Sequence, residues 1–214
     1  MDFIVEYIDY LKDRYDSILM YMLEHLLISF AAIVIANVII IPFAIYLTKI
    51  KRDKVKNIIF NLANILQTVP TIAMLALMIP LLGIGIKPAI VALFLYAILP
   101  LLRNTYSGMK SIDQGIVDAA KGIGYSRIQQ VLKVELPMAF PYIISGIRTT
   151  SVYIISWTAL AAVVGAGGLG DLILAGIGRN DTKMIFTGTF LAIIIAILLD
   201  FTLGKLEKKY VIKV

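Results

Sequence analysis

Apolar residues run in five long blocks separated by shorter polar stretches. The first covers about residues 22–47, the second about 58–82, and the third about 84–102. The fourth covers about 138–164 and the fifth about 184–203. A helix rising 1.5 Å per residue needs about 20 apolar residues to cross a hydrocarbon core about 30 Å thick, and the blocks meet or approach that length. An open sheet would leave backbone groups unpaired in lipid, and no block shows the period-2 alternation of a barrel strand. The pattern predicts an all-α, polytopic membrane protein with about five transmembrane helices. Pro70 and Pro80 interrupt the second block. The acidic stretch 1–21 reads as a surface amphipathic helix. The first apolar block is not expected to be a signal peptide, because the 21 residues before it are acidic rather than basic and no A-x-A site follows a short apolar core.

Composition sharpens this picture. The 214 residues are 60% hydrophobic and 16% charged, and mean hydropathy is +0.90. These values exclude an ordinary soluble domain and a disordered chain. The absence of cysteine removes disulfides, Cys-ligated zinc, iron–sulfur clusters and thiol catalysis. One histidine, His25, leaves no His-based metal site and no Ser-His-Asp triad.

The net charge of +6 and a pI near 9.4 raise nucleic acid as a partner. Distribution excludes it. Residues 48–57 hold five basic side chains, 103–137 hold five, and the tail holds four, so 14 of the 20 lie at one end of the predicted bundle. By the positive-inside rule that end is cytoplasmic, which places the N-terminus outside and the C-terminus inside. The expected organisation is an external segment at 1–21, a transmembrane domain at 22–204 and a cytoplasmic tail at 205–214.

The stretch 103–137 is too long for a turn. Apolar spacing of three and four on both sides of Gly124 predicts two short amphipathic helices, with Gly124 at the break and Pro137 opening the next span. Its run Asp118-Ala119-Ala120, three residues, Gly124, nine residues, Val134-Glu135-Leu136-Pro137 resembles the EAA loop of binding-protein-dependent ABC import permeases. Asp118 stands where that pattern has Glu, and Val134 where it has Ile. Two longer stretches, 66–109 and 144–177, resemble the glycine betaine/carnitine/choline (osmoprotectant) branch. The resemblance implies a type I importer permease fold in which Asp118, Ala119, Ala120, Gly124, Val134, Leu136 and Pro137 form an ATPase-coupling element. It also implies several partners: a cytoplasmic ABC ATPase dimer that uses ATP and Mg, a second permease, an extracytoplasmic solute-binding protein and the lipid bilayer. The chain carries no Gly-x4-Gly-Lys-Ser/Thr phosphate loop, so no cofactor is expected on it and ATP hydrolysis is expected elsewhere.

Polar residues inside the apolar blocks are candidates for the pathway. Gln67, Thr68 and Pro70 form a break tolerated only against protein or a water-lined cavity; lining the path and bonding between helices are both open readings. Arg148 lies about 16 Å into the fourth block, placed to receive a substrate carboxylate or to brace the fold on backbone carbonyls. Tyr153 and Trp157, one turn apart, offer ring faces to a quaternary ammonium or pack. His25 and Glu24 are expected as an interface pair or a satisfied helix-end group, Asp200 as a partner of Lys205 or the headgroups, and the glycine-rich 165–181 as a partly re-entrant external connection. An intramembrane enzyme is disfavoured, because no span holds paired carboxylates or a metal cluster. A passive channel would not require a coupling loop. A permease for another small solute, such as methionine, is the alternative importer.

Overall fold

The computed structural model describes residues 2–210, and every regular element among them is helical. Helix α1 (Asp2–Asp13) lies against the start of the last helix, where Lys183 Nζ donates to Glu6 at 2.8 Å. Helix α2 (Tyr15–Lys49) extends the first block at both ends. Ile28, Ala32, Ala36, Ile40 and Ala44 recur every fourth residue on its buried face, and the alanines let neighbouring backbones approach closely. Its opposite face exposes Leu23, Leu27, Phe30, Val34 and Val38, a surface suited to lipid.

The second block is two helices, α3 (Asp53–Thr68) and α4 (Thr71–Leu82), bent by 101°. Pro70 drives the bend. Its ring pushes Val69 out of the helical region, to φ −68 and ψ 128, and removes one N–H donor. Pro80 lies inside α4 without ending it.

Helix α5 (Ile86–Lys110) packs along α2 on one side and along the fourth span on the other. The polar stretch that follows is shorter than the sequence suggests. Helix α6 (Gln114–Gly122) is the first expected amphipathic helix. The second expected helix is not separate: α7 (Arg127–Gln130), a π-turn at Val131–Glu135, α8 (Leu136–Thr158) and a 3-10 stretch at Ala159–Val164 form one rod. Pro137 therefore does not open the span. An interior proline cannot donate and crowds the preceding turn, and the π-turn widens the helix just before it, with Leu136 N–H donating to the Val131 carbonyl.

The glycine-rich stretch holds a helix, α9 (Leu169–Arg179), and α10 (Thr182–Tyr210) completes the chain. The first residues of the expected tail continue α10, and 211–214 lie outside the described residues. Among the described residues four elements are long and apolar enough to cross a membrane: α2, α5, the rod Arg127–Val164 and α10. The bent α3–α4 pair makes up to five. The fully buried Ile28, Leu47, Leu93, Leu101 and Ile154 centre the core where α2, α5 and α8 meet, and Leu75 of α4 joins them.

Candidate functional site

The EAA-like segment projects from the basic end of the bundle. Asp113 caps α6, its Oδ1 accepting from Gly115 N–H at 2.6 Å. Asp118 is exposed and accepts from Lys121 Nζ at 2.6 Å and from Gln114 at 3.2 Å. These bonds, the Lys121 ammonium first, hold its carboxyl below the usual aspartate range. Ala119 faces outward while Ala120 is buried against its own chain.

Gly124 adopts φ +90, a conformation that L side chains rarely take, and it reverses the chain after α6. Ser126 then begins the rod with a capping box to Gln129. The tip of this element exposes Ile116, Ile123 and Ile128, the last two at 72% each, beside the charged pair Asp118–Lys121. Val134 sits half-buried in the π-turn, Leu136 packs on the Met109–Ala139–Ile143 cluster, and Pro137 is exposed. Sequence reasoning did not single out Glu135. Its side chain is 6% exposed and pairs with Lys49, fastening the base of the element to the end of α2. A lone acid between Val134 and Leu136 was the available signal.

The pathway candidates divide. Gln67, Thr68 and Pro70 lie at the α3–α4 bend; Thr68 donates back to Ile65 at 2.7 Å and so bonds within its own helix. The carbonyl of Val69 accepts from the Tyr96 hydroxyl of α5. The Tyr96 ring lies 4.8 Å from that of Trp157, which lies 5.4 Å from Tyr153. The structure thus links the bend to α8 by a line of three aromatic rings. Tyr96 was missed because nothing in the local pattern distinguishes it from a packing residue.

Among the described residues Arg148 bonds no backbone carbonyl, contrary to one expectation. Its Nε and Nη2 donate to the two oxygens of Asp200 at 2.7 and 2.8 Å, and Nη1 donates to Glu207 at 2.9 Å. Asp200 is accordingly not the partner of Lys205, whose ammonium lies 4.3 Å from the Phe201 ring centroid. One cation against two carboxylates leaves a net negative charge on the wall of a cavity of about 310 Å³, which Tyr153 also lines.

At the opposite end, Glu24 and His25 do not pair with each other. Glu24 accepts from Gly168 N–H at 2.9 Å, and buried His25 meets the Ile155 carbonyl at 3.1 Å.

Residues 40–210 match the family described as the binding-protein-dependent transport system inner membrane component. The chain belongs to that family. As a member of it, this is a multi-pass membrane protein. A glycine betaine/carnitine/choline transport system permease protein of Bacillus subtilis is 42% identical over 186 residues, covering 87% of this chain and 85% of that protein. An osmoprotectant import permease protein of Salmonella typhimurium is 38% identical over 205 residues, covering 94% of each. Among solved structures, an inward-facing MetNI methionine ABC transporter matches with a TM-score of 0.77 at 27% identity, covering 87% of this chain and 93% of that one.

Proposed function

We propose that this chain is the membrane-spanning subunit of an ATP-driven importer for quaternary ammonium osmolytes, the class of glycine betaine, carnitine and choline. The observation that carries the reading is the Tyr153–Trp157–Tyr96 line joined to the negatively charged Arg148–Asp200–Glu207 cavity. Quaternary ammonium groups are attracted to ring faces and to excess carboxylate charge. A track with both features suits weak, repeated contact along a path. The substrates named for the 42% and 38% identical permeases support the same class.

In this reading the basic end is cytoplasmic, the N-terminus is outside and the transmembrane domain spans 22–204. Two cytoplasmic ATPase subunits close around ATP and Mg and seat the tip where α6 turns into α7, with exposed Ile123 and Ile128. A second permease subunit completes the path, and an extracytoplasmic binding protein delivers the solute. The Lys49–Glu135 pair and the continuous rod from Arg127 carry movement of α6 into α2 and α8, a rigid connection able to bias two arrangements of the bundle.

Reconstituted with its ATPase, sister permease and binding protein in liposomes, the complex should accumulate labelled choline, glycine betaine or carnitine on addition of ATP. Tyr153→Ala and Trp157→Ala should each lower uptake about 2- to 30-fold, the span of one cation–π contact. ATP-driven uptake of methionine with none of the quaternary amines would overturn the reading.

A further inference from the structure

At the basic end a cavity of about 460 Å³ separates the inner side of α6 from the bundle. Five cations line it, drawn from four parts of the fold: Lys49 closing α2 with Lys51 just beyond it, Lys110 closing α5, Lys121 on α6 and Arg127 opening α7. Among the described residues Glu135 is the one acid in its wall. Glu135 engages Lys49, and Asp118 engages Lys121, while Lys51, Lys110 and Arg127 have no salt bridge among the described residues. Three cations without a salt bridge thus converge on one space, with Asp53 acting on Lys110 only at longer range and already paired with Lys56, and like charges so gathered repel until an anion enters. Gln130, only 8% exposed, adds a buried amide to the wall, and Met109, Ile112, Val117 and Val131 supply apolar surface beside it.

The cavity lies at the ends of two long apolar helices, α2 and α5, where basic pockets meet lipid headgroups. An arginine fork with separate lysines suits the several oxygens of a phosphate. We propose that this cavity binds a phosphate-bearing anion, supplied by the headgroup of an anionic phospholipid or by a soluble phosphate ester. The bound anion ties α6 to α2 and α5 and stiffens the lever between the bundle and whatever seats on α6. The Lys49–Glu135 pair already fastens one side of this space, so the anion completes the fastening on the side where the charges are unpaired.

The test measures binding without transport, so its result is independent of the importer reading. The full-length chain, delipidated in detergent, is offered dioleoylphosphatidylglycerol, dioleoylphosphatidylcholine or sn-glycerol 3-phosphate and followed by native mass spectrometry. Preferential retention of phosphatidylglycerol assigns the anion to lipid; binding of glycerol 3-phosphate without that preference assigns it to a soluble ester. At about fivefold per lost cation near an anionic headgroup, Lys51→Gln with Lys110→Gln should weaken retention roughly 30-fold, and Arg127→Gln about fivefold. Lys205→Gln with Lys209→Gln, outside the cavity, should leave it unchanged. In the unaltered chain a photoreactive phosphatidylglycerol should label residues 110–131, a readout that does not depend on how the variants fold. Retention of no anion, or retention unchanged by the cavity substitutions, overturns the proposal. So does a zero-length cross-link from Lys51 or Lys110 to an acidic segment of the ATPase in the assembled transporter, which would give the space to a protein partner.

Discussion

Arg148 and Asp200 meet edge to edge, two parallel N–H···O bonds of 2.7 and 2.8 Å joining α8 to α10. The guanidinium fork fits a carboxylate in a way that an ammonium cannot. Arg148→Gln leaves Asp200 and Glu207 facing each other without their cation. With both side chains of the Arg148–Asp200 pair more than a third exposed, the substitution should lower the melting temperature, by less than the loss of a fully buried pair would. Arg148→Lys should recover only part of that drop. Thermal unfolding in detergent checks both, and equal stability for Arg148→Lys and the unaltered chain would remove the fork from the account.

Gly108 sets the distance between α5 and α8. A Cβ there would fall under 3.0 Å from the Cβ of Tyr142, an atom held directly on the α8 backbone that cannot yield as the far end of a flexible side chain does. Gly108→Ala should therefore destabilise the bundle by about 1–3 kcal/mol. Gly122, at the end of α6, has nothing within 4 Å of a built Cβ. Gly122→Ala should be neutral or stabilise α6 by up to about 1 kcal/mol. A matched pair of melting curves reads the contrast.

Gly124 has open space around it but φ +90. Gly124→Ala should strain the turn by about 1–2 kcal/mol without any clash. The strain should redirect α6 rather than unfold the spans. The expected result is a chain that purifies normally but loses ATPase stimulation in the assembled transporter; full stimulation would show that the turn tolerates the side chain.

Burial, and then the neighbouring Glu24, push the Asp171 carboxyl above its ordinary value of 3.8. A raised carboxyl favours the protonated form in the folded chain, so stability from this group is present in acid and lost as pH rises through its folded value. Asp171→Asn should melt at a higher temperature than the unaltered chain near neutral pH, and the difference should close as pH falls toward 4. A difference independent of pH would place its origin in packing.

Two parts of the candidate site differ in how far they could be read in advance. The EAA-like segment is legible because its features are local: a capped helix, a glycine that must reverse the chain, and small residues at fixed offsets. The aromatic line and the ion cluster are not, because their members come from distant positions. Tyr96 is 27 residues from Val69, Arg148 is 52 from Asp200, and Lys49 is 86 from Glu135. Pro70 announced a break, but its 101° angle depends on what α3 and α4 pack against. The merging of α7 with α8 was likewise hidden, because a π-turn can carry a helix up to a proline that the one-dimensional pattern treats as a boundary.

The sequence by itself determined the all-helical membrane class, the number of apolar blocks and the basic end, since crossing a bilayer requires contiguous apolar residues and places the cations outside them. Tertiary structure decided which polar groups inside those blocks compensate one another. In a low-dielectric bundle each such group needs a partner, and only the packing of α2, α5, α8 and α10 determines who is near enough to be one. Arg148 could be recognised as needing carboxylates or carbonyls from its depth alone; that it holds two carboxylates on α10 is a fact of the fold.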